Sequence, residues 1–318
     1  MFDIITIGGA TRDVFFKTNE GKVLADKKCV SGRMLAFEYG AKIVPEDSYF
    51  SYGGGGMNTA VSFAKLGLKV AAKINIGAEG TGSLIHKELA KKGVNTSLVV
   101  RDKKNHTALS IIISEDGDHT MFLYRGANDD LKIKDWSKLK DTKWLYVSSL
   151  TGNSEKILEK LPDIISKSGF KLAWNPGSQQ LEKGYKYMKS LLKNTSIIIL
   201  NKAEATELVL SKNRNVEIND KNLLKEIIAM GPEIVVITKD GKGSMATDGV
   251  QDHYQKALSA KVKETTGAGD SYGSTFVAGI IKGYNIVESM ALASKNAASV
   301  VSKVGAQEGL LSLKELQR

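Results

Sequence analysis

What most constrains this chain is an alternation: short apolar runs rich in β-branched residues return between segments of helical period. The runs cover residues 3–8, 70–77, 144–149, 171–174, 196–200 and 233–238. Between them, helical segments cover 57–66, 83–92, 155–167, 203–210 and 221–230, and several stop at a glycine suited to a left-handed cap: Gly67, Gly93, Gly169 and Gly231. Runs this short and continuously apolar suit strands buried on two faces, so the alternation predicts an α/β fold with a mostly parallel central sheet between helix layers. At 318 residues the chain is long enough for one large unit of this kind, taken here as a single α/β domain over 1–318.

Two stretches leave the pattern. Residues 13–52 show hydrophobic alternation and turn signals (Asn19-Glu20-Gly21, Ser31-Gly32) without a helix, and 107–124 reads as two strands joined at Glu115-Asp116-Gly117-Asp118. Both leave and re-enter the α/β body. Segments of about 13–52 and 107–125 are therefore expected to form a small β-sheet lid over one edge of the main sheet, with Phe15, Phe16, Phe37, Tyr39, Phe122 and Tyr124 as its small core.

Composition excludes several classes. Forty-five Lys and Arg against 35 Asp and Glu give a net charge of +10, but the lysines are scattered, which describes solvated faces with a mild pull on anionic ligands and not a nucleic-acid surface. Cys29 is alone, so an internal disulfide and a thiol cluster for metal are both excluded and a reducing, cytoplasmic setting is expected. No apolar run approaches the ~18 residues that span a bilayer, and 1–8 reads as a first strand and not as a signal peptide. His86, His106, His119 and His253 show no metal-ligand spacing.

Three constellations carry chemistry. Glu264, Thr265, Thr266, Gly267, Ala268, Gly269 and Asp270 follow a strand-like run at 257–262 and open an apolar helix from Ser271 to about Lys282. Small residues at Gly267, Ala268 and Gly269 let backbone N–H groups at a helix N-terminus approach an anion, and Asp270 is placed to take a proton from a hydroxyl attacking phosphorus. The same residues also read as a plain glycine turn with an acidic first-turn residue. Gly53, Gly54, Gly55 and Gly56 run through Met57 into Asn58 and a helix, which suits close approach of backbone to a ligand with Asn58 on sugar hydroxyls, or a loose connection with Asn58 as a cap. Asn201-Lys202-Ala203-Glu204 and Thr238-Lys239-Asp240-Gly241-Lys242-Gly243 each follow an expected strand, at the carboxyl ends where open α/β sheets bind ligands. An amide and a carboxylate at that spacing suit hydrated Mg²⁺ beside a triphosphate; a macrodipole partner and a hairpin turn are the plainer readings. Neither a Walker-type phosphate loop nor a G-x-G-x-x-G fingerprint is present.

Taken in order, these elements resemble the ribokinase-like, or PfkB, family of carbohydrate and nucleoside kinases. The likeness spans nearly the whole chain, through Gly8-Gly9 with Asp13, the Gly53 to Asn58 run, Ile76-Gly77-Ala78-Glu79-Gly80-Thr81-Gly82, Arg125-Gly126-Ala127-Asn128, Asn201 to Glu204, Thr238 to Gly243, Thr265 to Asp270, and Asn296 with Gly305-Ala306-Gln307. It implies a ribokinase-like three-layer sandwich with a small β-sheet lid, and an ATP-dependent kinase acting on a primary hydroxyl of a sugar or nucleoside. By this resemblance Asp270 is the catalytic base, Gly267, Ala268 and Gly269 form the anion hole, and Asp13, Gly54, Gly55 and Asn58 hold acceptor hydroxyls. ATP would meet Asn201, Thr238, Gly241, Gly243 and Asn296, Glu204 would act on Mg²⁺ through water, and Glu264, Thr266 and Gly305 would flank a monovalent cation such as K⁺. A homodimer through the lid is the family's analogy.

Departures bear on the acceptor. Glu264 replaces the usual Asp of the anion-hole motif, Glu79 replaces a common Asp, and Ser148 or Ser149 stands where ribokinases place an acid. The 175–181 segment is similar to a loop of some bacterial adenosine kinases. A pentose kinase, a nucleoside kinase, a kinase for a hexose or 2-keto-3-deoxy sugar acid, and a catalytically silent homologue stay open, and a nucleic-acid binder rests on charge alone.

Overall fold

The computed structural model describes residues 1–29, 32–115 and 118–318. Its elements in chain order begin with β1 (Phe2–Ile7), β2 (Thr11–Lys17), β3 (Lys22–Ala25), β4 (Arg33–Ala36), β5 (Asp47–Gly53), α1 (Gly55–Lys65), β6 (Val70–Lys73), β7 (Asn75–Gly77), α2 (Gly80–Lys91), β8 (Val100–Asp102), β9 (Ala108–Glu115) and β10 (Asp118–Tyr124). They continue with β11 (Thr142–Val147), α3 (Lys156–Ser168), β12 (Lys171–Trp174), α4 (Ser178–Leu192), β13 (Ile197–Asn201), α5 (Lys202–Lys212), α6 (Asp220–Ile228), β14 (Ile234–Thr238), β15 (Ser244–Thr247), β16 (Asp252–Gln255), α7 (Ala268–Ile281), α8 (Ile286–Val301) and α9 (Leu313–Leu316). Gly67, Gly93 and Gly169 end their helices at φ of 81°, 82° and 72°, and Gly231 follows α6 at 126°.

Eight strands pair in the order β16-β15-β14-β13-β12-β11-β1-β6, parallel from β14 to β6 and antiparallel at β15 and β16. Period-two alternation divides each buried strand between two cores. In β14, Val236 joins Ile197 and Ile199 under α1, α7 and α8, whereas Val235 and Ile237 join Ile198 and Leu200 under α3 to α6. Apolar residues are thus needed at every position, which is why these strands read as unbroken runs. The chain leaves β1 to one side for β6 and later takes the other side with β11, so strand order reverses there. A crevice opens outside the carboxyl ends of strands at such a point.

A second sheet, β10-β9-β2-β5, stands apart from the first, with β3 and β4 as a separate hairpin. Its register sets Asp13 opposite Ser51 and Ser110. The aromatic core expected here is formed only in part: Phe15, Phe16 and Phe37 are half-buried, with Phe15 against Tyr49, whereas Phe122 and Tyr124 stay exposed on the open edge strand β10 and Tyr39 is exposed in the turn after β4. Of the expected turns, Ser31, Asp116 and Gly117 lie outside the described residues, as does the side chain of His119.

Two other expectations are corrected. The run 70–77 is two strands, since β1 gives way to Gly8-Gly9 beyond Ile7, and past Lys73 the chain turns to β8, where Val100 N–H takes the Ile74 carbonyl at 2.9 Å. Residues 257–262 form no strand; Leu258 and Val262 are exposed, and the β15–β16 hairpin already completes that side of the sheet. Among the described residues no helix is long and apolar enough to cross a membrane.

Candidate active site

The first turn of α7 lies over the crevice. Gly267 is its N-cap at φ 80°, and a Cβ there would sit 2.5 Å from that of Ala306, so only glycine gives both the left-handed turn and the contact. The N–H of Ala268 returns to the Thr265 carbonyl at 3.2 Å, while those of Gly267, Gly269 and Asp270 have no acceptor among the described residues. Beside Gly269 the space is open. Free N–H groups at the positive end of a helix dipole form an anion seat. Its donors differ from the expected set by one, with Ala268 engaged in the turn and Asp270 contributing its own N–H.

The Asp270 carboxylate is fixed from behind. Asn58 Nδ2 donates to Oδ2 at 2.8 Å, and Gln307 Nε2 donates to Asn58 Oδ1 at 2.9 Å and to the Tyr52 carbonyl at 3.2 Å. Ser274 Oγ lies 2.6 Å from the Asp270 carbonyl and 2.7 Å from Ser62 Oγ, tying α7 to α1. Burial raises the Asp270 pKa above the usual carboxylate value, and the Asn58 bond opposes this. A carboxylate with a raised pKa is a better proton acceptor.

Gly54 takes φ 90°, and a Cβ there would lie 2.6 Å from the Gly9 carbonyl oxygen, which Met57 N–H meets at 3.1 Å. The glycine run thus seats α1 on the loop after β1. Backbone at Gly55 stands over Ser148 and faces Asp270 Oδ1, the carboxylate oxygen not bonded to Asn58. Asp13 is 5% exposed; burial lifts its pKa to about 6, with the Ser110 hydroxyl pulling down, the Glu264 charge adding to the rise and Arg12 opposing it. Beside it, Ser51 Oγ is buried without a partner among the described residues.

Asn201 and Thr238 are paired neighbours at the carboxyl ends of β13 and β14. The amide of Asn201 caps α5 by accepting from Glu204 N–H at 2.9 Å, and Glu204 Oε2 accepts from Asn201 N–H at 2.8 Å. Burial raises the Glu204 pKa. Gly241 and Gly243 belong to the hairpin turn between β14 and β15, with open space at Gly241. Asn296, expected at the nucleotide, is wholly buried: its amide donates to Thr275 Oγ1 at 2.7 Å and accepts from Leu311 N–H at 2.8 Å. Glu264 accepts from Thr266 N–H at 2.8 Å and from Gly305 N–H at 3.3 Å, joining the two loops expected around a cation.

Sequence gave Asn58 a place on substrate hydroxyls; the structure has its amide held by Asp270 and Gln307. Gln307 acquired no role of its own from the sequence, and no local signal marks it, because its partner is 249 positions away.

Comparison with known proteins adds lineage. Residues 31–313 match a family model described as pfkB family carbohydrate kinase. The chain is 27% identical to an uncharacterized sugar kinase of Archaeoglobus fulgidus, over 79% of this chain and 98% of that one. It is also 27% identical to the 5-dehydro-2-deoxygluconokinase of Shouchella clausii, over 94% and 96%. Among solved structures, the ribokinase of Arabidopsis thaliana complexed with ribose and ATP shares the fold at a TM-score of 0.82 and 19% identity, over 99% of this chain and 97% of that one.

Proposed function

The chain belongs to the pfkB family of carbohydrate kinases, and on that footing we propose that it transfers the γ-phosphoryl group of ATP to a primary hydroxyl of a sugar. The observation that carries this reading is the Asp270 carboxylate, held on one oxygen by Asn58 beside three N–H groups of the same helix start that have no acceptor among the described residues. A base and an anion seat one turn apart suit in-line phosphoryl transfer, which needs positioning and charge stabilisation more than covalent chemistry. Asp270 takes the hydroxyl proton on its second oxygen. The N–H groups of Gly267, Gly269 and Asp270 receive charge that builds on the phosphoryl oxygens. Asp13 and Ser51, side by side in the second sheet, hold acceptor hydroxyls, and that sheet closing as a lid excludes water.

The residues fit a magnesium ion carried mainly by phosphates and water. Glu204 has one carboxylate oxygen committed to the Asn201 N–H and one left over, and when bound the ion neutralises triphosphate charge. For K⁺, both Glu264 oxygens already accept N–H bonds, so backbone carbonyls of the Glu264, Thr266 and Gly305 loops are the available ligands. A lid-to-lid homodimer is supported by the row Val14, Phe50, Ile111 and Phe122 across one face of the second sheet, with Phe50 and Phe122 more than half exposed. The cytoplasmic setting rests on the single cysteine.

An ADP-release screen of pentoses, hexoses, keto-sugar acids and nucleosides, with and without K⁺, tests this reading. Turnover on a sugar or sugar acid is expected. Turnover on nucleosides alone assigns a nucleoside kinase, and nucleotide binding without turnover on any acceptor assigns a silent homologue.

A further inference from the structure

Backbone pairing between β13 and β14 stops at Asn201 and Thr238. Beyond that pair the chain diverges: one branch enters α5 at Lys202, the other enters the hairpin turn at 239–243. Among the described residues no backbone hydrogen bond joins the two branches. A third element does so through side chains. Asp220, the first residue of α6, accepts from Lys202 Nζ on Oδ1 at 2.9 Å and from Lys239 Nζ on Oδ2 at 2.7 Å. One carboxylate thus holds the residue that follows each strand end.

An isolated exposed ion pair fixes little, because two long side chains lose entropy for a bond that water screens. This carboxylate serves two cations, one on each oxygen, and Lys239 is only 15% exposed. Its ammonium also lies 5.7 Å from the centre of the Tyr254 ring on β16, so the side chain is set by two partners. The bonds from Lys239 and then Lys202 hold the Asp220 carboxyl below its ordinary pKa, with burial opposing them.

The turn that Lys239 enters is unusual in its own backbone. Asp240 takes φ 48° and is the only non-glycine in the left-handed region among the described residues. That conformation costs a residue with a side chain free energy, less for Asp than for most, and persists where the surroundings impose it. Lys239 N–H meets the Gly243 carbonyl at 2.7 Å and Gly243 N–H meets the Asp240 carbonyl at 3.0 Å, which closes the turn on itself. Its tie to the rest of the nucleotide crevice is the Lys239 side chain on Asp220.

We infer that Asp220 is a positioning residue for the nucleotide, a role resting on the kinase reading above: it fixes the spacing between the start of α5, with Asn201 and Glu204, and the 239–243 turn. It acts through the two loops and not on the phosphates. Without its charge, Lys202 and Lys239 become two ammonium groups brought together with nothing between them, and their repulsion drives the loops apart.

Isothermal titration of the full chain with a non-hydrolysable ATP analogue and Mg²⁺, without acceptor, tests this. Asp220→Asn is expected to weaken binding by about three- to tenfold, and Lys239→Met by a similar or smaller factor. Because both changes break one bond, the double variant is expected to lose no more than Asp220→Asn alone. Thermal unfolding of each variant runs in parallel, since the ion pairs also carry stability. A lower melting temperature with unchanged affinity makes Asp220 a tie of the fold alone and overturns the inference. Tighter binding by Asp220→Asn overturns it as well, because the lysines would then serve the phosphates once released, and so do losses that multiply in the double variant. A parent chain that binds no nucleotide sinks the kinase reading and this role with it, whereas a parent that binds and an Asp220→Asn variant that equals it sink this role only.

Discussion

Asp270 and Asp13 are two carboxylates withdrawn from water at the same site, and they are held in different ways. Asp270 lies in the first turn of a helix packed on one of the two cores and is fixed through Asn58 to Gln307, with Ser274 and Ser62 binding its helix to the neighbouring one. Asp13 stands mid-strand in a four-stranded sheet that leaves Phe50, Phe122 and Tyr124 exposed, with the Ser110 hydroxyl as its bonded donor. Under the function proposed above, the difference separates two tasks. Phosphoryl transfer depends on reacting atoms held within about half an ångström, which packed helices supply. Gripping an acceptor and closing over it needs an element able to move against the core, and a thinly packed sheet can do so at small cost.

The largest test falls on the rigid side. Asp270→Asn keeps the shape and removes the base, so kcat is expected to fall by roughly 10² to 10⁴ with the KM for ATP little changed. Steady-state ADP release reads both constants. Near-normal turnover would remove Asp270 from the chemistry and with it the contrast drawn here.

Next comes the stability held against function at Asp13. Its folded pKa is about 6 against an ordinary 3.8. Between about pH 4 and 6 the unfolded chain has lost this proton while the folded chain keeps it, so stability falls as pH rises through that window and stays low above it. About two pKa units correspond to roughly 3 kcal/mol. Asp13→Asn has no charge to bury, so it is expected to raise the unfolding free energy at pH 7.5 by up to about 3 kcal/mol and by little at pH 4. Urea titrations at the two pH values decide it, since an equal gain at both would mean that buried charge is not the cause.

A smaller effect distinguishes recognition from chemistry. Asp13→Ala is expected to raise the acceptor KM by about tenfold, as for loss of one charge-assisted hydrogen bond, and to leave the KM for ATP nearly unmoved. Were kcat to collapse instead, Asp13 would belong with Asp270 on the chemical side.

These two acids were not equally legible in the chain. The helix start at Asp270 announces itself locally, because Gly267, Ala268 and Gly269 leave backbone bare just before an apolar helix. The strand runs are readable for a similar reason: two-sided burial demands apolar residues at every position, and the run 171–174 coincides with β12. Continuity also misled. Within 70–77 the polar Lys73 and Asn75 mark the change of sheet, and 257–262 has strand composition but no free edge to pair with. Side-chain relays were hidden altogether, since Asn58 and Asp270 meet across 212 positions. The glycines before Asn58 signalled a close backbone approach, yet nothing in the chain says that the approach is to Gly8-Gly9 and Ser148.

The smallest expected effect probes that hidden relay. Gln307→Leu removes the donor to Asn58 Oδ1 while filling similar space, and the Asn58 bond to Asp270 is weakened but kept. A loss in kcat of about three- to tenfold is expected, with both KM values little moved, as for one neutral hydrogen bond at a distance from the reacting atoms. Because the Asn58 bond holds the Asp270 pKa down, weakening it should also move the acidic limb of the pH–rate profile upward. Gln307→Glu then separates orientation from packing. Glutamate has nearly the same shape, but it presents an acceptor to Asn58, which must turn its amide and so face Asp270 with an oxygen. If Gln307 merely fills space, glutamate is the milder change; if it orients the amide, glutamate costs more turnover than leucine does.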